Sequence, residues 1–282
     1  MSAEGFEFTI KGITKELLTY KSGLFGVSLL IFLLCLSAYT MITIPYDQAV
    51  KLWRGEEGVW LETPRNAQPY WVKYFGWNLP ETIKRDSAQP GQKGVVKVVT
   101  PIAGTNFKLA QIIFTFDYDY DAFPSEVNLF LSAKFNKSAP ILKIYWVKPE
   151  SSEIKLLDYI PRSREDRLYL SVNPKVQKVL SSYVSNILGR KPDVLLPAKD
   201  ALFAVEDDSI SSTLTAKPLK GTYKLRIEAT LFGADSDLDA RLIVYGQVYG
   251  LAGTDHLRRD LLVAILWGTP IALAFGLTVL TL

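Results

Sequence analysis

The sequence predicts a membrane protein in which two transmembrane helices bracket a mostly β domain. Two charge-free runs, residues 23–44 and 261–282, stand far apart in the 282-residue chain. At 1.5 Å per residue, each is long enough to cross about 30 Å of hydrocarbon. Between them, apolar and polar residues alternate with a period of two, as in strands that have one wet face.

Charge and rare residues exclude several classes of function. The chain has 32 Lys and Arg against 29 Asp and Glu, so we expect no nucleic-acid partner recruited by bulk positive charge. The only cysteine, Cys35, lies in the first apolar run, and the only histidine is His256. The soluble region can therefore form neither an internal disulfide nor a thiolate metal site. We expect no enzymatic activity and no cofactor.

The first apolar run predicts a retained transmembrane helix over residues 23–44, in preference to a cleaved signal peptide. Residues 1–22 are predicted as a cytoplasmic interfacial segment, because apolar residues recur there at helical spacing among lysines. Those apolar residues are Ile10, Ile13 and Leu17, and the lysines are Lys11, Lys15 and Lys21. Charge alone barely decides the orientation, because Arg258 and Arg259 adjoin the second run on the opposite side.

The second run allows two interpretations, because Gly268, Thr269 and Pro270 interrupt it. A continuous helix would be long enough to cross a membrane. A broken one would give an interfacial helix over residues 251–267 and only the start of a span over residues 268–282. The prediction adopts the broken helix, and it follows that the natural protein would continue beyond Leu282.

Residues 45–92 form an aromatic juxtamembrane segment. They include four of the six tryptophans, Trp53, Trp60, Trp71 and Trp77. Trp and Tyr favour the headgroup layer of a membrane, but rings of this kind also pack beneath soluble domains. The sequence leaves both arrangements open.

Residues 93–250 predict a β-sandwich, immunoglobulin-like, with about nine strands and one helix. The clearest strands are residues 127–135 and 223–231, each with alternate apolar residues on one face. Further strands are predicted at residues 95–99, 111–118, 141–147, 154–159, 168–172, 202–205 and 242–248. The helix begins after Asn173 with Pro174 in its first turn and ends at Gly189.

A family resemblance lies beside the second apolar run. GTDHLRRDLL at residues 253–262, followed by LWGTPIAL at 266–273, resembles the GTDxxGRD and YGxRxSL signature of permease subunits from dipeptide, oligopeptide and nickel ABC importers. The matching residues are Gly253, Thr254, Asp255, Arg259, Asp260 and Gly268. Members of this family begin with a short basic segment, one membrane helix and a Pro-Tyr-Asp sequence. The start of this chain is similar, because Lys21 is followed by the first apolar run and then by Pro45-Tyr46-Asp47. Trp-Gly-Thr-Pro looks like an archaeal branch of the family.

The chain also departs from this signature. Arg258 stands where the family has Gly, Val263-Ala264 replaces Ser-Arg, Pro270 replaces Arg and Ala272 replaces Ser. An alternative account of the segment needs no family. It makes Thr254 or Asp255 a helix cap and places Arg258 and Arg259 among lipid phosphates.

The resemblance implies a transport subunit in the cell membrane, with its amino terminus inside and its β domain outside. Its implied partners are a second permease, two ATPase subunits that would hydrolyse the ATP, an extracytoplasmic solute-binding protein and membrane lipid. The rival hypothesis is a membrane-anchored surface module whose β-sandwich serves adhesion or ligand sensing.

Two weaker sites complete the predictions. Asp235, Asp237 and Asp239 are spaced for calcium in a predicted hairpin loop, although alternate acids on a strand usually form its solvated face. Asn136 begins an Asn-Lys-Ser glycosylation sequon, usable where the domain is extracytoplasmic.

Overall fold

The structure is a computed structural model that describes residues 19–54, 58–149, 153–192 and 194–281. Most of the predicted interfacial segment 1–22, and Leu282, lie outside these residues. The chain divides into two compact units. A helical unit combines Met1–Val59 with Arg259–Leu282, and a β domain comprises Trp60–Arg258.

In the described parts of the chain, five α-helices and nine strands alternate with short 3-10 turns. The helices are α1 (Lys21–Thr43), α2 (Tyr46–Arg54), α3 (Pro174–Leu188), α4 (Ala198–Phe203) and α5 (Leu261–Thr281). The 3-10 turns are Tyr70–Phe75, Leu170–Val172 and Asp208–Ser211. The strands are β1 (Ile83–Asp86), β2 (Val95–Pro101), β3 (Phe107–Tyr118), β4 (Glu126–Lys134), β5 (Ile141–Val147), β6 (Glu153–Tyr159), β7 (Glu165–Tyr169), β8 (Gly221–Phe232) and β9 (Asp237–Tyr245).

The helical unit is apolar on its outside. Helices α1 and α5 are both long and apolar enough to span a membrane. Phe25 on α1 is 71% exposed and Phe275 on α5 is 72% exposed, so these helices do not bury their large side chains within the unit. Hydroxyl groups on α1 are satisfied internally, since Thr40 Oγ1 donates to the carbonyl of Leu36 at 2.8 Å.

Helix α5 is continuous, and the predicted break at residues 268–270 is wrong. The helix runs from Leu261 through Pro270 to Thr281, whereas residues 251–260 form turns and not the expected interfacial helix. A proline lacks the backbone N–H that would donate to the carbonyl four residues earlier. An apolar helix tolerates this loss of one hydrogen bond when the hydrogen bonds of the adjacent turns remain. The hydroxyl of Thr269 donates to the carbonyl of Ile265 at 3.1 Å.

The β domain has two antiparallel sheets. One has the order β1-β9-β4-β7 and the other β2-β3-β8-β5-β6. Strands β3 and β8 pair along their whole length, from Phe107 opposite Phe232 to Tyr118 opposite Gly221. The alternate apolar residues predicted on β4 and β8 face the core, where Leu129, Leu131 and Leu225 are fully buried.

Two predicted boundaries change in the β domain. Residues 202–205 were expected to form a strand, but residues 198–203 form α4, whose Ala198, Ala201, Leu202 and Phe203 are all buried. A short run that is apolar on every side gives no period by which to distinguish a helix from a strand. The four-stranded sheet also includes β1, which pairs with β9. The β domain therefore begins before residue 93, its predicted start.

Helix α3 follows its predicted signals. The Oδ1 atom of Asn173 accepts a hydrogen bond from the backbone N–H of Lys175 at 2.9 Å, and Gly189 ends the helix with a φ of 64°. Its Val176, Leu180 and Val184 are buried in the core of the β domain. The cap, the proline and the apolar spacing thus act together at one helix.

Candidate functional site

The first half of the family-like segment is built into the β domain. Gly253 has a φ of 78°, and a Cβ atom there would lie 2.3 Å from the carbonyl oxygen of Ala67. Such a separation is far below contact distance, and this φ is also unfavourable for a side chain. Only glycine therefore allows this close approach of the two backbones.

Thr254 fixes the same contact through its buried side chain. Its Oγ1 accepts from the N–H of Ala67 at 2.9 Å and donates to the carbonyl of Pro64 at 2.7 Å. Its own N–H donates to the carbonyl of Ala67 at 3.0 Å. Asp255 continues the pairing, because its carbonyl accepts from Asn66 at 3.1 Å. The segment is thereby fastened to residues 64–67.

Arg258 is a buried cation in a cage of β-domain groups. Its Nη1 donates to the carbonyl of Thr63 at 2.6 Å, and its Nη2 donates to Glu126. Its guanidinium carbon lies 4.4 Å from the centroid of the Tyr245 ring. The expectation that Arg258 lies among lipid phosphates is therefore wrong, because its partners come from the sheet and from Thr63.

The carboxylate of Glu126 lies at the centre of this cage. Asn128 Nδ2 donates to it at 3.2 Å, and Arg65 Nε is 3.5 Å away. Burial raises the pKa of Tyr245 to about 12, although the nearby positive charge of Arg258 opposes the shift. The Tyr245 hydroxyl therefore stays protonated near neutral pH and donates to the carbonyl of Leu61.

Arg258 also has an unusual backbone. Its φ is 69°, and the only other non-glycine residue with positive φ in the described chain is Asn66 at 48°. This left-handed region favours glycine, and a long side chain there costs conformational energy. The buried contacts of the guanidinium must offset that cost.

The second half of the segment belongs to the helical unit. The Arg259 guanidinium lies 3.9 Å from the centroid of the Trp53 ring, and its Nη1 donates to the carbonyl of Trp53 at 2.9 Å. Asp260 Oδ1 accepts from the N–H of Leu262 at 2.8 Å, as a cap at the start of α5. Around Gly268 a Cβ atom would meet nothing within 4 Å, so packing does not require glycine there.

Two of the three aspartates of the predicted calcium loop form ion pairs. Lys97 Nζ lies 3.0 Å from Asp237 and 2.8 Å from Asp239, which joins β2 to β9 across the two sheets. These two aspartates belong to β9, and β8 and β9 lie in different sheets, so the predicted hairpin is wrong. Asp235 precedes β9 in the connecting loop. No group of three potential metal ligands occurs among the residues that the structure describes. Asn136 is exposed in the loop between β4 and β5.

A buried ion pair at one end of β5 was not predicted. Lys148 Nζ donates to the carbonyl of Ala204 at 3.0 Å and lies 3.3 Å from Glu206, which accepts from the Tyr183 hydroxyl at 2.6 Å. Burial lowers the pKa of Lys148, and Glu206 opposes the shift. Because the lysine side chain is wholly enclosed, the cluster ties residues 204–206 to the sheet.

The outer face of the larger sheet has a partly apolar groove of about 500 Å³. Val98, Leu109 and Ile141 line it together with the charged Lys143 and Glu228. The alternation of apolar and polar residues predicted that the outer face of each sheet is polar. It did not predict that Val98, Leu109 and Ile141 are exposed together on this face.

An aromatic surface in the β domain was predicted only as an open alternative. The segment of residues 70–77 leaves five large rings exposed, those of Tyr70, Trp71, Tyr74, Phe75 and Trp77. We call these five side chains, with the exposed Leu251, the aromatic platform. In the β domain, these rings do not pack beneath the sheet.

Comparisons with known proteins identify no family for the chain. No protein-family model matches it, and no curated protein is similar enough to be a relative.

Proposed function

We propose that the chain is the membrane-spanning subunit of an ABC importer for peptides or similar small solutes. The observation that supports this proposal best is the structure of residues 253–260, which immediately precede α5. Gly253 and Thr254 are fixed by backbone contact, and Asp260 caps an apolar helix. The resembled permease signature has the same residue types in the same position relative to its second helix.

The backbone of Arg258 gives independent support for this resemblance. The family signature has glycine at that position, and Arg258 adopts the left-handed φ that glycine favours. The departure from the signature is thus a change of side chain on a backbone suited to the family residue. Its buried guanidinium then forms contacts that glycine could not provide.

Membrane insertion is supported by the exposed surface of α1 and α5. Large apolar side chains lie outward along both helices, and lipid is the medium in which such a surface is stable. In this proposal the amino terminus is cytoplasmic and the β domain is extracytoplasmic. A second permease, two ATPase subunits and a solute-binding protein complete the importer, and the ATPases supply the energy.

We infer that the β domain is an immunoglobulin-like sandwich. In such sandwiches the second and fifth strands pair in one sheet, and the third and sixth pair in the other. Here β3 pairs with β8 and β4 pairs with β9, while the links β3 to β4 and β8 to β9 both cross between sheets. The hydroxyl of Tyr223 donates to the carbonyl of Leu219 at 2.6 Å, which braces the start of β8.

Co-purification tests the transport proposal. The affinity-tagged native gene product is extracted from its own membranes in mild detergent, and its companions are identified by mass spectrometry. The proposal expects a second permease and ATPase subunits, and a tag on the recovered ATPase must retrieve this chain in return. Recovery of a stable protein without ATPases would contradict the proposal.

That negative result would favour the second candidate, a membrane-anchored surface module. The groove on the outer face of the larger sheet supports this candidate, because Val98, Leu109 and Ile141 are exposed there without covering structure in the described chain. A surface module would use this face to bind a ligand, and its helices would serve as anchors.

A further inference from the structure

The aromatic platform is a built surface and not a loose loop. Tyr70 donates its N–H to the carbonyl of Gly250 at 2.8 Å, and Trp71 Nε1 donates to the carbonyl of Leu251 at 3.0 Å. The 3-10 turn ends at Gly76, which has a φ of 87°. After it, Asn78 Nδ2 donates to the carbonyl of Asp119 at 2.8 Å. Both ends of the segment are therefore fastened to the β domain.

A neutralised ion pair supports the platform. Lys73 Nζ forms a salt bridge with Glu81, and the Tyr70 hydroxyl donates to the same carboxylate at 3.1 Å. The ammonium group also lies 5.1 Å from the centroid of the Tyr70 ring. The one cation within the turn thus has a carboxylate partner, and the outer surface that remains is mainly aromatic.

The rings of the platform are exposed although Trp71 and Phe75 meet edge to face, with their centroids 6.0 Å apart. Tyr74 is 83% exposed and Phe75 is 73% exposed. Scattered apolar residues are ordinary on protein surfaces, but several large exposed rings within residues 70–77 indicate a surface that contacts something else. Trp and Tyr combine an apolar ring with a polar group, and this combination suits the boundary between lipid and water.

The position of the platform in the β domain indicates which surface it meets. The chain joins this domain at Trp60 and leaves it at Arg258, and Thr63 Oγ1 donates to the Arg258 carbonyl at 2.7 Å. The two ends of the β domain therefore lie close together. From there, residues 63–70 run beside residues 247–258 through a series of backbone hydrogen bonds that reaches Gly250, and the Trp71 indole extends this contact to the carbonyl of Leu251.

We propose that the aromatic platform inserts into the headgroup layer of the membrane and holds the β domain against the lipid surface. The occupant is the lipid interface itself, bound through ring burial and not through headgroup charge. This inference rests on the membrane insertion in the proposed function. Because Lys73 is neutralised by Glu81, the contact should be insensitive to salt and to anionic lipid.

Lipid quenching of single-site probes tests this proposal in the full chain. In a Cys35→Ser background, an environment-sensitive fluorophore is attached to Tyr74→Cys, and the protein is reconstituted into phosphatidylcholine vesicles. The matched control is Leu214→Cys, because Leu214 is also apolar and is 94% exposed outside the platform. A third variant, Leu30→Cys on α1, reports membrane insertion.

The proposal expects the Tyr74 probe to be blue-shifted and quenched several-fold more by headgroup spin-labelled lipid than the Leu214 probe. High salt should leave that quenching unchanged. A Tyr74 probe as water-exposed as the Leu214 probe overturns the proposal. A blue shift without lipid quenching also overturns it, because a protein surface would then cover the platform. If spin labels deep in the bilayer quench the Leu30 probe but the Tyr74 probe remains exposed to water, only the present proposal fails. If they do not quench the Leu30 probe, the proposed membrane insertion fails.

Discussion

The β domain and the helical unit place the same kinds of side chain in opposite surroundings. In the β domain, Phe116, Trp146, Phe203 and Tyr223 form one enclosed ring cluster, with Phe203 and Tyr223 centroids 4.8 Å apart. In the helical unit, the rings of Phe25 and Phe32 on α1 and of Phe275 on α5 are exposed. The β domain supplies its own apolar medium, whereas the helices require one from outside.

Two adjacent arginines mark the boundary between these regions. Arg258 ends the β domain as a buried cation with carbonyl, carboxylate and ring partners. Arg259 begins the helical unit and stacks on Trp53. We therefore expect the two arginines to contribute differently to the free energy of unfolding, and the substitutions below measure this difference.

The largest effect is expected in the ring cluster. Trp146→Ala should lower the free energy of unfolding by about 3–5 kcal/mol, because it leaves a cavity in a closed core. It also removes the indole donor to the carbonyl of Leu202, 2.9 Å away. Trp77→Ala, at an exposed ring of the aromatic platform, should change the same quantity by no more than about 0.5 kcal/mol. Denaturant unfolding of the detergent-solubilised chain measures both, and equal losses would refute the contrast.

The second effect separates the side chain of Arg258 from its backbone. Arg258→Ala should destabilise the β domain by about 3 kcal/mol, because it leaves Glu126 without its buried partner. Arg258→Gly makes the same loss but suits the left-handed φ, so it should be about 1 kcal/mol less damaging.

Arg259→Ala is the control for this pair, with an expected loss of about 0.5–1 kcal/mol for the removed ring contact. Thermal unfolding of the four proteins, including the unaltered chain, ranks them. A glycine variant less stable than the alanine variant would contradict the backbone argument.

A smaller loss is expected at Thr254. Thr254→Val keeps the shape but leaves the N–H of Ala67 and the carbonyl of Pro64 without their partner. We expect destabilisation by about 1–3 kcal/mol, the usual cost of unsatisfied buried polar groups. Thr100→Val, at an exposed site on β2, should be nearly neutral. Hydrogen exchange at Ala67 should rise in the first variant alone, and unchanged protection there would count against the assigned role.

The smallest effect concerns pH at the aromatic platform. The hydrogen bond from Lys73, aided by that from Tyr70, holds the pKa of Glu81 below its usual value although burial opposes the shift. Because this pKa is depressed in the folded chain, the stabilisation is present above the unfolded value and disappears as pH falls through the folded value. Glu81→Gln should remove this part of the acid sensitivity. A Gln variant that keeps the full acid dependence would place its origin elsewhere.

The sequence predicted those parts of the fold that depend on local pattern. Helix α3 followed from Asn173, Pro174 and Gly189, and β4 and β8 followed from their alternating residues. Strand β1 was missed because four mostly polar residues show no alternation until β9 pairs with them. Pro270 was overvalued as a helix breaker.

The candidate site was harder to predict, because its contacts join residues that are far apart in the chain. The motif residues were identified, but Arg258 meets Thr63 across 195 positions and Glu126 across 132. Burial of that arginine depends on tertiary packing, and no local period reports it. The sequence indicated an aromatic segment at residues 45–92. It could not predict that the rings of the aromatic platform are exposed, because exposure depends on which residues of the folded β domain cover them.

The proposed function requires that α1 and α5 cross the membrane and that the β domain lies outside the cytoplasm. Cysteine accessibility in intact cells tests this topology. In a Cys35→Ser background, single cysteines replace Asn136, which is exposed on the β domain, and Ser2 near the amino terminus. We expect an impermeant maleimide to label the Asn136 site in intact cells and the Ser2 site only after permeabilisation. Protection of the Asn136 site until permeabilisation, or labelling of both sites in intact cells, would contradict it.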